Sequence, residues 1–347
     1  MIRIRNIYHM LAYAFQLLNE KGYRQMATED FENVAELCAA ILIRGVRVQV
    51  KQGLGKEYVP RTETIPGIRG KIELSESINT QSVYRGKLVC SYDEFIVDSR
   101  MNQIIKSTMV LLLKADIRKE QKKEIRKLLV YFSDVNLLDL TLLDWNLHYN
   151  RNNQTYRMLI AVCRLIVEGL LQTQADGSTK MMDFLDEQRM CRLYEKFILE
   201  YYKKEFPQLS VNASQIKWQV DDGISDMLPK MQTDIMLSYG EKVLIIDAKY
   251  YQHSMQMQYE KQTLHSANIY QIFTYVKNKE VEMSGQPHEV SGMLLYARTD
   301  EDTYPANDYR MSGNRISARA LNLDEEFSVI QKQLNSIAYE FLGVDVA

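Results

Sequence analysis

Four consecutive aliphatic residues, Val243-Leu244-Ile245-Ile246, run directly into Asp247-Ala248-Lys249. A short apolar run of this kind marks a strand covered on both faces, because a strand with one wet face alternates. A carboxylate and an amine at the end of such a strand are costly to bury unless they are paired or bind a metal. Strand side chains alternate with period two, so Asp247 and Lys249 share one face. Upstream, Met231-Gln232-Thr233-Asp234-Ile235-Met236-Leu237 leads to a tight turn at Tyr239-Gly240-Glu241. The pattern predicts two strands, over 231–239 and 242–250, with Asp234 in the opening part of the first. Two acids and a lysine are thereby brought to one spot.

That trio has a chemical use. Mg²⁺ prefers oxygen ligands and often takes only one or two carboxylates, leaving water and phosphate oxygens to complete its shell. Asp234 and Asp247 are the candidate metal ligands, with the Ala248 carbonyl as a third. Lys249 is the candidate for orienting or activating the attacking water. By itself Asp-x-Lys is also what a plain surface ion pair at a strand end looks like. Downstream, Gln271 and Tyr275 stand one turn apart on one face of a helix predicted over 266–279. They are candidates for contacting phosphate or the lysine, or for packing alone. Glu195, on a helix predicted over 188–206, is a candidate for binding a metal water, or part of an exposed Glu195–Lys196 face.

The rest of the chain reads as two parts. Ile7, Met10, Leu11 and Ala14 mark an amphipathic first helix, and a second is predicted over 31–50. Prolines, glycines and alternating residues over 55–72, then a strand over 87–94, predict a small β-rich element. Helices follow over 100–115, 116–132 and 155–171. Between Lys114 and Lys127, seven Lys and Arg face three acids: either a DNA or partner surface, or a solvated helix face. The polar stretch 172–180 is the expected linker, giving an N-terminal α+β domain over 1–175 and a C-terminal α/β domain over 181–347. In the latter, strands over 215–220, 289–296 and a weaker one over 308–316 join the hairpin, and a helix over 325–342 closes a mixed sheet.

Composition excludes several classes. With 347 residues and 46% hydrophobic content, the chain is long enough to bury its own core. A net charge of −2 rules out a general basic coat, so any DNA contact must be local or supplied by a partner. The cysteines, Cys38, Cys90, Cys163 and Cys191, form no Cys-x-x-Cys pair, and the five histidines show no ligand spacing. There is no GxxxxGK[ST] phosphate loop, no signal-peptide pattern and no apolar stretch long enough to span a bilayer, so a cytoplasmic protein is expected.

Helix with Glu195, then Asp234, then Asp247-Ala248-Lys249, then Gln271 and Tyr275 resembles the motif order of the PD-(D/E)xK nuclease superfamily. More closely, the chain resembles the McrC family, the nuclease subunits of 5-methylcytosine-dependent McrBC restriction systems. That resemblance rests on residues 5–14 (Arg-Asn-Ile-Tyr-His-Met-Leu-Ala-Tyr-Ala) and 64–73 (Thr-Ile-Pro-Gly-Ile-Arg-Gly-Lys-Ile-Glu). Residues 102–108 (Asn-Gln-Ile-Ile-Lys-Ser-Thr) and the segment 228–251 complete it. It implies a C-terminal restriction-endonuclease-like domain that cuts double-stranded DNA with Mg²⁺, using Asp234, Asp247 and Lys249. It also implies a partner, an McrB-like AAA+ hexamer that binds GTP and recognises modified cytosine. The N-terminal domain would engage that motor and stimulate its GTPase, with the 55–72 element as a projecting tip. Thr233 stands where the superfamily has proline, a change that leaves the Asp234 ligand intact. Two alternatives remain open at this stage: a non-catalytic GTPase-activating subunit with a nuclease-like fold, and a motor-independent repair nuclease.

Overall fold

The computed structural model describes residues 2–14, 31–149, 153–176, 187–250, 256–258, 261–298 and 304–346. They divide into two compact units, Met1–Glu32 with Leu185–Ala347, and Asn33–Phe184. Helix α1 (Ile4–Ala14) buries the expected Ile7, Met10, Leu11 and Ala14. It does so within the unit containing the C-terminal half, not with the rest of the 1–175 region. Tyr13 packs against Phe197 and Tyr201, and His9 stacks on Phe327 with ring centroids 4.0 Å apart. The Asn6 amide donates to the carbonyls of Leu323 and Glu325 at 2.7 and 2.8 Å. Aromatic partners and open carbonyls far along the chain set the helix's place, which local periodicity cannot register.

The unit Asn33–Phe184 begins with α2 (Val34–Gln52), whose first turn is capped by the Asn33 side chain accepting from Glu36 N at 2.9 Å. The expected β-rich element follows as β1 (Glu57–Ile65), β2 (Lys71–Ile72), the short helix α3 (Leu74–Asn79) and β3 (Leu88–Ile96). Its three strands are antiparallel in the order β1-β3-β2. Gly70 has φ 69°, and a Cβ there would lie 2.4 Å from the Ser91 carbonyl oxygen, so only glycine fits. Helices α4 (Arg100–Leu112), α5 (Lys119–Leu129) and α6 (Gln154–Asp176) complete the unit. Asn102 donates to the carbonyls of Gly55 and Val97, both at 2.8 Å, and Tyr156 Oη donates to Asn102 Oδ1 at 2.8 Å. Both ends of the β element are thus held on the helices. The expected linker is helical up to Asp176, because α6 is longer than its apolar stripe; residues 177–180 lie outside the described residues.

In the other unit, α7 (Glu187–Glu205) is followed by β4 (Ser210–Asn212), β5 (Gln215–Ile216) and β6 (Met231–Gln232). Then come β7 (Ile235–Tyr239), β8 (Lys242–Lys249) and the small antiparallel pair β9 (Gln256–Gln258) and β10 (Lys261–Thr263). Helix α8 (Ser266–Glu282), β11 (Glu289–Arg298), β12 (Ala306–Met311), β13 (Asn314–Asn322) and α9 (Phe327–Leu342) end the chain. Six strands form a mixed sheet in the order β12-β13-β11-β8-β7-β4. Its centre, β8, β11 and β13, is parallel, and the flanking pairs are antiparallel. Val243 and Ile245 pack with Ile272, Tyr275 and Val276 of α8, while α7 and α9 cover the other face of β8.

Three strand expectations are corrected. The single strand over 231–239 is interrupted at Thr233–Asp234: β6 pairs with β5, and β7 with β8. The weak strand over 308–316 is a hairpin of two strands, turning at Ser312 and Gly313 with φ 49° and 94°. The strand over 215–220 is shortened to Gln215–Ile216. No helix among the described residues is long and apolar enough to cross a membrane.

Candidate active site

β7 and β8 pair only from Tyr239↔Lys242 to Ile235↔Ile246. Beyond that point β8 continues for Asp247, Ala248 and Lys249 with β11 on one side and, among the described residues, no strand on the other. The chain leaves the ladder because Asp234 supplies an acceptor in place of a strand carbonyl: its Oδ2 accepts the Ala248 amide hydrogen at 2.9 Å. In an extended strand the N–H and C=O of one residue point the same way. The Ala248 carbonyl therefore faces the same strand-free side as Asp234.

Asp247 is 1% exposed, and Lys249 Nζ lies 2.9 Å from its Oδ2. Neither Asp247 oxygen receives a directed hydrogen bond. Burial pushes the Asp247 carboxyl up to about 7; Lys249 opposes the shift and the Asp234 charge adds to it. Asp234 is also raised by burial, against the Ala248 amide and Lys249, which favour its ionised form. A buried and a half-buried carboxylate crowded beside one amine have an electrostatic deficit that a cation corrects. Among the described residues no three His, Cys, Asp or Glu side chains gather to hold a metal unaided. Asp234, Asp247 and the Ala248 carbonyl nonetheless fit a magnesium-type site, which leaves most positions to water and substrate.

Lys249 is held from the helix side. Its Nζ donates to Gln271 Oε1 at 3.3 Å, Gln271 Nε2 donates to Tyr275 Oη at 3.1 Å, and Tyr275 donates to the Gln232 carbonyl at 3.2 Å. The chain of bonds runs from the lysine across α8 to the strand just before Asp234. Gln271 thus contacts the lysine directly, and Tyr275 reaches it only through Gln271.

Glu195 is half-buried rather than on an exposed face. Burial raises its pKa, Asp234 raises it further, and Lys249 lowers it, so Glu195 shares the field of the trio. Sequence reasoning missed Cys191. Its thiol, pushed up to about 12 by burial and by Glu195, stays protonated and donates to Glu195 Oε1 at 3.0 Å. The four-residue spacing of Cys191 and Glu195 on α7 was the available signal. Cys38, Cys90 and Cys163 are buried free thiols.

This mixed sheet with two acids and a lysine at the end of its central strand is consistent with a nuclease-like domain. The chain belongs to the family of McrBC 5-methylcytosine restriction system components, whose model matches residues 4–297. It is 32% identical, over 98% of both chains, to the type IV methyl-directed restriction enzyme EcoKMcrBC of Escherichia coli strain K12. Its fold is similar to a chain in a half-complex from the tetradecameric assembly of Thermococcus gammatolerans McrB AAA+ hexamers with bound McrC. The TM-score is 0.53 at 16% identity, covering 96% of this chain and 76% of that one.

Proposed function

We propose that this chain is the DNA-cutting subunit of a two-component restriction system, with a PD-(D/E)xK active site at Asp234, Asp247 and Lys249. Hydrolysis of the DNA phosphodiester is Mg²⁺-dependent, and the substrate is double-stranded DNA carrying 5-methylcytosine. The chain acts in the cytoplasm after assembling with an AAA+ GTPase hexamer, whose GTP hydrolysis it stimulates through the region 1–175. The observation that carries the reading is the parting of β7 and β8, which brings the half-buried Asp234, the buried Asp247 and the Ala248 carbonyl together where the two strands separate.

Asp234, Asp247 and the Ala248 carbonyl would hold the ion. When bound, it supplies charge stabilisation at the phosphate and a more acidic water. Lys249, anchored through Gln271, sits beside Asp247 as a donor to the attacking water or to a phosphate oxygen. Tyr275 fixes which end of the Gln271 amide faces the lysine, because its hydroxyl is already committed to the Gln232 carbonyl. Glu195 supplies a carboxylate whose raised pKa suits binding or moving a proton of a bound water.

The deciding experiment compares cleavage of methylated and unmethylated plasmid by wild type and Lys249→Ala, with and without the motor partner, GTP and Mg²⁺. Cutting that requires all three additions and Lys249 supports the proposal. Cutting without the motor sinks the two-component reading. GTPase stimulation with no cutting by wild type sinks the nuclease reading.

A further inference from the structure

Helix α5 carries a second, separate feature that the cleavage site does not use. At about 100° per residue, Lys119, Lys122, Lys123, Arg126 and Lys127 fall on one arc of about 140°, with no acid inside it. Glu120 and Glu124 border that arc on one side, and Ile125 and Leu128 are buried on the other. Glu124 is taken up by Arg47 and by Lys127, the latter at 2.6 Å. Lys119, Lys122, Lys123 and Arg126 form no ion pair among the described residues; Lys119, Lys123 and Arg126 are exposed and Lys122 is half-buried.

Helices in the other unit treat their lysines differently. Lys203, Lys277 and Lys279 each sit three residues from a glutamate and pair with it, at 2.8, 2.6 and 2.8 Å. On α5 the cations stand four apart from one another, at 119/123, 122/126 and 123/127, which destabilises a helix by a few tenths of a kcal/mol per pair. A face chosen for helix stability or solubility alone would intersperse acids. Four unneutralised charges on one side of a helix, in a chain of net charge −2, form a local anionic-polymer site.

The geometry points to this face as a binding surface for the phosphate backbone of duplex DNA, distinct from the cleavage site and indifferent to sequence and methylation. From Lys119 to Arg126 the helix advances about 10 Å, which matches about three base-pair rises of 3.4 Å along a strand. The exposed Val130 and Tyr131 continue from the end of the helix, offering an apolar shoulder and a hydroxyl next to the cations.

The test measures binding of the full chain to a fluorescent 30-base-pair duplex in EDTA, from about 50 to 200 mM salt, so that no cleavage is needed. Lys119→Glu/Lys123→Glu/Arg126→Glu is expected to bind at least tenfold more weakly. Its slope of log affinity against log salt should fall by roughly one unit per charge removed. The milder Gln triple variant should lie between it and wild type, with circular dichroism confirming that both fold. Lys203→Glu, a charge reversal at a paired lysine outside both this face and the cleavage site, should bind like wild type, which ties the loss to α5. Because the assay runs in EDTA, it does not depend on the nuclease reading. Unchanged affinity and slope in both triple variants, or no binding by wild type at low salt, overturns the proposal. So does normal DNA binding combined with lost assembly with the motor, which would assign the face to an acidic protein.

Discussion

The Asp234 carboxylate accepts the amide hydrogen of Ala248, 14 residues later, at the place where two paired strands separate. One side chain therefore ends a ladder and satisfies a buried donor, while only one of its two carboxylate oxygens is used for that bond.

These duties can be pulled apart. Asp234→Asn keeps an acceptor for the Ala248 amide and removes the charge, so it should lose cleavage while melting close to wild type. Asp234→Ala strands a buried N–H, at a cost of about 1–3 kcal/mol, and should melt below the Asn variant. Thermal melts in EDTA alongside plasmid cleavage check both. Equal melting of the two variants would refute the strand-ending role.

Asp247 should make stability fall with pH in metal-free protein. Its folded pKa is raised to about 7, above its unfolded value, so the folded state holds more protons between these limits. Stability is then full below about pH 4, declines as pH rises, and has lost this contribution above the folded value. Asp247→Asn escapes the decline. It should melt higher than wild type at pH 8 by the equivalent of about 1–3 kcal/mol, reduced by the orphaned Lys249, and by much less at pH 5. Adding Mg²⁺ at pH 8 should restore wild type and not the variant, since a ligand stabilises only what it binds. A melt-versus-pH series in EDTA and in Mg²⁺ decides it.

Tyr275→Phe removes the hydroxyl between Gln271 and the Gln232 carbonyl and keeps the buried ring. The expected loss is about 1 kcal/mol of stability and roughly tenfold in cleavage rate, because the Gln271 amide is free to turn its NH2 group toward Lys249. Gln271→Glu in the same background should recover part of the rate by presenting oxygen in either orientation. A rate loss that Gln271→Glu does not touch would mean that Tyr275 acts through packing alone.

Much of this site was legible because strong local patterns carry it. The four aliphatic residues before Asp247 could only be a buried strand, and period two placed Lys249 beside the acid. The helical spacing of Gln271 and Tyr275 translated directly into a hydrogen bond. The break at Thr233–Asp234 was not legible: Thr233 Oγ1 and the Thr233 amide both bond Ser214, turning the chain toward β5, and nothing local announces that partner. The Ser312-Gly313 turn was passed over because a polar residue and a glycine inside a short run read as a weak strand. The placement of α1 failed for a broader reason, since its periodicity defines a buried face without saying what buries it. Asn6 and His9 find their partners more than three hundred residues away.

Gly292, on β11, faces α8 at close range. A Cβ there would lie 2.8 Å from both Ile272 Cγ1 and Val276 Cγ2, and 3.0 Å from Ile316 Cδ1. Those atoms are side-chain ends, so they can give way, but all three belong to buried residues with little free volume around them. Gly292→Ala should therefore cost about 1–3 kcal/mol, lowering the melting temperature by several degrees. The added methyl lifts α8 between Gln271 and Tyr275, and a shift of even a few tenths of an ångström lengthens the 3.3 Å contact to Lys249. Cleavage by Gly292→Ala should fall more than stability alone explains, when assayed well below its melting point with motor, GTP and Mg²⁺ in excess. Full activity at that temperature would show that the lysine does not depend on where α8 sits.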